Sequence, residues 1–437
     1  MHPIKYSALA LAIATCSPVA LASSQSESSG LVADSTLNVL NRNLYYNDDD
    51  RSSGAEQSKY EEWGHGIIGT FESGFSEGTV GFGVDAQAML AIKLDSGHGR
   101  AGSGLFPADN SSCDADDFCD SQDSYGEASG AVKARISETA LKVGEMFVHT
   151  PVYDTGDTRL LPETTTGGLL TSNEIEDLSL TLGHFTAANR QNSTNSDDVF
   201  SGYAAELDTS IDFIGADYSF SDSLSGSLYA SELEDYWRQY YGNLTYGMEL
   251  AEDRNLEFNF NLYRTNEQGE AKVGDISNTF WSLASTYTVG VHALTLAYQE
   301  VDSDTPFDYV GNYSIWVSNS YYSDYNGPNE KSVLARYDYD MSELLTPGLS
   351  TFAVYIKGFD IDGSDMDADS AYQADWGSAR DEKHHELNLG IKYLVPDGPA
   401  KNLSLYLVQQ VHRASSEQYD GDFNRVRLYI EYPLNLL

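Results

Sequence analysis

Between Gly78 and Asp95 the chain reads GTVGFGVDAQAMLAIKLD. Val80, Phe82, Val84, Ala86, Ala88, Leu90, Ile92 and Leu94 hold its even positions. Gly81, Gly83, Asp85, Gln87, Met89, Ala91, Lys93 and Asp95 hold the odd ones. An apolar face that returns every second residue belongs to a strand, whose successive side chains point to opposite sides. This face persists for about a dozen residues, against roughly 5–6 for an ordinary strand. A tilted strand that crosses a bilayer needs about 9–11. The fold therefore turns on whether the pattern recurs.

It recurs from end to end. Leu256, Phe258, Phe260 and Leu262 alternate with Glu257, Asn259, Asn261 and Tyr263, and Leu244, Tyr246, Met248 and Leu250 share one face. Strands are expected to start near Leu37, Trp63, Thr79, Ala128, Ala140, Leu178, Phe213, Leu224, Tyr241, Leu256, Trp281, Leu294, Val333, Thr351, Glu386, Leu403 and Arg425. A closed antiparallel barrel with both termini on one side needs an even number, so GGLLTSNEIE (167–176) must hold one more, giving about 18. Short polar connections (221–223, 251–255, 290–292) alternate with long irregular ones (97–126, 187–198, 302–330, 360–383). Outer-membrane barrels show that asymmetry, with short periplasmic turns and long external loops, and a soluble sandwich has no reason for it. In the last strand Val426, Leu428, Ile430, Tyr432 and Leu434 read as lipid-facing, with Arg425, Arg427, Tyr429 and Glu431 toward the lumen.

Composition agrees. The 437 residues contain no apolar run long enough for a membrane helix, and 30 tyrosines accompany a negative mean hydropathy. A net charge of −42 repels nucleic acid and anionic surfaces. The first 22 residues read as a cleaved secretory signal, with Lys5, an apolar core at 8–15 and the Ala20-Leu21-Ala22 site, and residues 23–437 as one barrel domain. Cleavage removes Cys16 and leaves Cys113 and Cys119 in SSCDADDFC, read as a local disulfide in an exported loop. The aspartates around them could bind calcium weakly, and a solvated acidic loop is the simpler reading. No metal centre and no cofactor are expected.

Several stretches resemble the OprD family of outer-membrane porins, close to its porin D branch. They include ESGFSEGTVGFGVDAQAMLAIKLDSG (72–97), GAVKARISETALKVGEM (130–146), TRLLPETTTG (158–167), LYASELEDYWRQYY (228–241), TPFDYVG (305–311), YSDYNGPNEKS (322–332) and EYPLNLL (431–437). The resemblance implies a monomeric barrel in the bacterial outer membrane, with loops folded inward to narrow the pore. It also implies passive uptake of small water-soluble molecules, here basic amino acids or small peptides, with carbapenem-like antibiotics admitted. Other small carboxylates or oligosaccharides are the alternative cargo. A structural or adhesive surface barrel is the reading outside transport.

The same resemblance suggests which side chains meet the solute. Arg42, Arg159, Lys392 and Arg427 match the family's basic track, and Arg425 is an extra inward base. A row of guanidinium and ammonium groups offers successive sites to a carboxylate. Lys93 is a further inward base that no match singles out. Tyr203, Tyr309, Ser314, Ser320, Tyr322 and Asp324 match the opposing electronegative pocket, with Asp324 the expected partner of a cationic side chain. Tyr406 and Val408 stand where the branch commonly carries arginine, and near Asp48 it often has another, so the basic track is thinner here. A serine-peptidase activity credited to the family would match His184, Asp235 and Ser314. The apolar phase of Leu178, Leu180 and Leu182 turns His184 away from the lumen, and Ser314 has no nucleophile-elbow glycines, so catalysis is not expected.

Overall fold

The long alternating segments pair with their neighbours in sequence until the last meets the first. The structure, a computed structural model, describes residues 25–437 apart from 54, 56, 114–117 and 205. The expected signal segment lies outside the described residues. Among these, eighteen strands form one sheet. They are β1 Thr36–Asp50, β2 Lys59–Glu72, β3 Gly81–Ser96, β4 Ser124–Ile136, β5 Thr139–Met146 and β6 Thr164–Ile175. Next come β7 Leu178–Asn189, β8 Ile211–Ser221, β9 Leu224–Leu233, β10 Trp237–Ala251, β11 Arg254–Glu267 and β12 Ser277–Val289. The circuit ends with β13 His292–Asp302, β14 Lys331–Asp340, β15 Leu349–Ile361, β16 Glu382–Leu394, β17 Ser404–Ala414 and β18 Phe423–Asn435. Antiparallel pairing of β1 with β18, from Asn38 opposite Asn435 to Asp50 opposite Phe423, closes the barrel. No helix among the described residues is long and apolar enough to cross a membrane.

The missing descending strand is β6, inside the stretch assigned to it. Its pattern was faint because Leu169 packs inward on the aromatic loop cluster beside Leu170, so apolar residues occupy both faces of the strand. A Cβ on Gly167 would lie 2.1 Å from the carbonyl oxygen of His184, so the close approach demands glycine.

The expected faces hold for β3 up to its end. Phe82, Val84, Leu90 and Ile92 point outward, while Gln87, Met89 and Ala91 are buried inside. Asp95 departs from the reading. A shift between Trp63 and Gly64 puts Asp95 opposite the outward Trp63, so it leaves the lumen face. Tyr218, Tyr246, Tyr287 and Tyr337 are exposed near the short-turn end, with Trp63 and Tyr240 near the other, as interfacial aromatic girdles require.

Long connections emerge at one end only and several fold back inside. Val152 and Tyr153, Phe200 and Leu207, Phe307 and Val310, and Tyr372 and Trp376 come from four loops and pack on Phe185, Tyr241, Tyr263 and Phe280 of the wall. A second cluster sets Leu105, Phe106, Leu160 and Leu161 against Leu44, Tyr46 and Met89. Gly64 lets that loop approach, since a Cβ there would come within 2.5 Å of Leu160. Cys113 and Cys119 are bonded to each other, as their loop suggested.

The aromatic cluster carries the loops. Phe307 is fully buried, with its ring 4.7 Å from those of Tyr263 and Phe280. Phe307→Ala is expected to loosen loop 303–330 by about 3–5 kcal/mol. Hydrogen exchange should rise across that loop while barrel-strand amides keep their protection.

Candidate functional site

Wall side chains fix the backbone of the inward loop 303–330. Gln299 Nε2 donates to the carbonyl oxygen of Asp324 at 2.9 Å, and its Oε1 accepts from the Asn319 amide at 3.0 Å. The Glu386 carboxylate accepts the amides of Tyr322 and Ser323, both at 3.2 Å. Asp308, also in this loop, accepts the amides of Tyr203 and Tyr309 at 2.9 and 2.8 Å and the Tyr372 hydroxyl at 2.9 Å. Burial pushes its carboxyl up to about 6.

This frame presents Asp324 with three hydroxyl donors. Tyr203 and Tyr309 donate to its Oδ2 at 2.7 and 2.6 Å, and Ser320 donates to its Oδ1 at 2.6 Å. The carboxylate is thus held in one orientation. It lines a cavity of about 450 Å³ with Tyr309, Ser320, Tyr322, Arg159, Arg425 and Arg427.

The four arginines on that cavity, Arg159, Arg190, Arg425 and Arg427, differ in electrostatic standing. Arg425 is paired with Asp48, Nε at 2.9 Å, and its guanidinium lies over Tyr322 and Phe423 at 4.2 and 4.6 Å. Among the described residues Arg159 and Arg427 have no ion-pair partner. Arg159 donates to the carbonyl of Ser103 and to Thr158. Arg427 donates to the Tyr429 hydroxyl at 3.2 Å, and its buried Nε has no partner. Two uncompensated positive charges therefore share a cavity with one oriented carboxylate.

Comparison with known proteins places the barrel in a family. The family profile described as outer membrane porin, OprD family, matches residues 29–436. The chain is 46% identical to Porin D of Pseudomonas aeruginosa, with 100% of both chains covered. A crystal structure of Pseudomonas aeruginosa OprD superposes with a TM-score of 0.82 at 46% identity, covering 95% of this chain and 99% of that one. A structure of Pseudomonas aeruginosa OpdK with vanillate gives 0.80 at 30% identity, covering 93% and 100%. The chain belongs to the OprD family of outer-membrane porins.

Within this porin other expected contributors are placed elsewhere. Arg42 is buried and does not line the cavity. Its Nε bonds Glu431 at 2.7 Å, its Nη2 bonds Asp157 at 3.0 Å, and its Nη1 donates to the carbonyl of Arg159 at 2.9 Å. It braces loop 147–163 against the wall and so aims Arg159. Lys93 is tied to Asp123 at 2.7 Å and to the Ser121 carbonyl at 2.6 Å. Lys392 pairs in register with Tyr406, whose ring stacks on Tyr429, so it shares the inward face below Arg427 but lies off the cavity. Val408, opposite Arg427, is buried and adds no charge. Asp48, near which the branch often has arginine, instead neutralises Arg425.

Ser314 is fully buried and off the cavity, against expectation. Its hydroxyl accepts the Asp154 amide at 2.6 Å and donates to the Val310 carbonyl at 2.7 Å, joining two loops. The serine, histidine and aspartate matched to a peptidase do not meet. His184 is exposed on the outer face beside Asp212 at 2.8 Å, and Asp235 faces Lys272 at 3.4 Å. Arg190 lines the cavity without having been singled out, and Glu206 at 3.1 Å and Asp198 at 3.5 Å accompany it. Its position at the end of an alternating strand was the available signal.

Two predictions follow from the braces. Arg42→Ala leaves Asp157 and Glu431 without their partner. The loop contact should weaken by about 3 kcal/mol, the lower end for a broken buried pair, and single-channel conductance should change with it. Glu163 bonds the Gly156 amide at 2.8 Å and the Asn312 side chain, and burial pushes its carboxyl up to about 7. The folded loop then holds a proton that the unfolded chain has released above the ordinary value of 4.5. Its contribution to stability is full below that value and falls as pH rises toward about 7. Current noise from loop motion should increase across that window, and Glu163→Gln should flatten the dependence.

Proposed function

We propose that this porin passes small zwitterions with a cationic side chain, basic amino acids or small peptides, by passive diffusion. The observation that carries the proposal is the shared cavity. There Asp324, held by three hydroxyls, faces the same space as the unpaired guanidiniums of Arg159 and Arg427. A zwitterion entering a narrow opening loses hydration at both ends. A carboxylate oriented beforehand replaces the water lost by the cation, and the guanidiniums do so for the anion. Weak contacts at successive sites then let the solute leave toward Lys392.

A second reading, a channel for small carboxylates without a cationic end, has its own support. Two unpaired positive charges, Arg159 and Arg427, stand against the one carboxylate on the cavity, and the related OpdK was solved with vanillate. Competition of ion current separates the two. Lysine should block more strongly than glutamate, and a neutral sugar should block least. Asp324→Asn should weaken the lysine block about tenfold, the loss of one charge-assisted contact of about 1.4 kcal/mol. Arg427→Ala should shift the reversal potential toward cations. Stronger block by glutamate than by lysine would overturn the first reading in favour of the second.

A further inference from the structure

At the long-loop end of the wall, β16 and β17 turn two histidines inward. Glu386 faces His412 across the ladder and Ala414 faces His384, so the histidines sit diagonally. Both are buried, His384 at 2% exposure and His412 at 0%. Each has one ring nitrogen engaged away from the other. His384 Nε2 is 2.6 Å from Oε1 of Glu330, and His412 Nδ1 is 2.7 Å from the carbonyl oxygen of Gly421. A carbonyl only accepts, so His412 carries its proton on Nδ1, and the carboxylate places that of His384 on Nε2. The remaining nitrogens, His384 Nδ1 and His412 Nε2, face each other at 2.8 Å. In neutral rings both present lone pairs, and two lone pairs at that distance call for a positive centre between them.

A third donor is aimed at the same point. Asp420, in the connection between β17 and β18, brings a carboxylate oxygen so that the three ligand atoms lie within 4.8 Å of one another. Imidazoles whose far nitrogens are bonded to a carboxylate and to a backbone carbonyl have the outer support that metal-ligating histidines use. A lone shared proton would account for the contact between the rings but gives Asp420 no part in it.

We propose that His384, His412 and Asp420 form a site for one divalent transition-metal ion of the zinc type, with water in the fourth position. Two imidazoles and one carboxylate suit such an ion, whereas calcium and magnesium take oxygen ligands. Metal–nitrogen bonds of about 2.0–2.1 Å in tetrahedral geometry set the two nitrogens about 3.3 Å apart, so the rings separate by about 0.5 Å to admit it. The three residues come from two strands and the connection after them and match no metal-ligand spacing motif, so nothing in the sequence signals the site. None of the three lines the cavity, so the site stands apart from the proposed transport track. It does reach toward it. The connection that carries Asp420 also carries Tyr419, whose ring lies 4.6 Å from Trp376 and 5.5 Å from Tyr203, a donor to Asp324. A bound ion would tie that connection, and through Glu330 the end of loop 303–330, to the wall.

The test uses the whole barrel in detergent micelles, stripped with a chelator and titrated with Zn²⁺ alone by calorimetry. Co²⁺ absorption in parallel reports the coordination number. One Zn²⁺ per chain at micromolar affinity or tighter is expected, with the intense visible bands of a four-coordinate Co²⁺ site. His412→Ala and Asp420→Asn should each weaken binding at least about tenfold. Asp420→Asn alters a connection rather than the wall and keeps the barrel intact, so its result stands if His412→Ala misfolds. His184→Ala, on the outer face, should leave the affinity unchanged. No saturable binding by the native chain, or wild-type affinity in Asp420→Asn, would overturn the site.

Discussion

Closure of the sheet governs everything inside it. In hydrocarbon an unpaired backbone amide or carbonyl costs several kcal/mol, so an edge strand cannot stand in a membrane. Pairing β1 with β18 removes the edge. Eighteen strands, however, enclose more space than wall side chains can fill. The long connections must enter that space, and they bring their own aromatic core. Phe307, Tyr372 and Trp376 are buried as deeply as any soluble core residue, yet they lie within a barrel whose outer face is also apolar. The wall thus has two apolar partners, lipid outside and the folded loops inside part of its circuit.

That construction divides the inward charges into two groups. Arg42 and Arg425 are used as struts. Arg42 meets Asp157 and Glu431, and Arg425 meets Asp48 and a box of aromatic rings. A buried guanidinium needs such partners, since desolvation without them is prohibitive. Arg159 and Arg427 sit at the cavity, where solvent can share the hydration of their charge. What a solute meets is therefore set less by how many bases face inward than by which of them the loops leave unneutralised. The strut at Arg42 also shows that a basic residue off the cavity can govern it, through the backbone of Arg159.

Much of the fold was legible because a membrane strand advertises itself locally. The outward faces of β3 and β18 follow from a period of two, and the even strand count requires β6. The failures have equally local causes. Asp95 changed faces because one shifted pair reverses the phase for all residues beyond it. The alternation of β6 was hidden because Leu169 faces the folded loops rather than water, which puts apolar residues on both faces. The site was less legible. Ser314 matches a pocket position, but its hydroxyl is consumed in joining two loops, and Arg190 enters the cavity just past the end of β7, where the alternation stops.

Periodicity by itself determined that this chain makes a closed wall, which side chains meet lipid, and which reach inward. Those are nearest-neighbour properties of an extended backbone. Only the tertiary structure decided which inward charges remain available. Arg42 finds Asp157 across 115 residues, Arg425 finds Asp48 across 377, and His384 finds His412 on the next strand with Asp420 beyond it. Such encounters depend on how loops pack inside the barrel, and no local pattern records the burial that makes each pairing necessary.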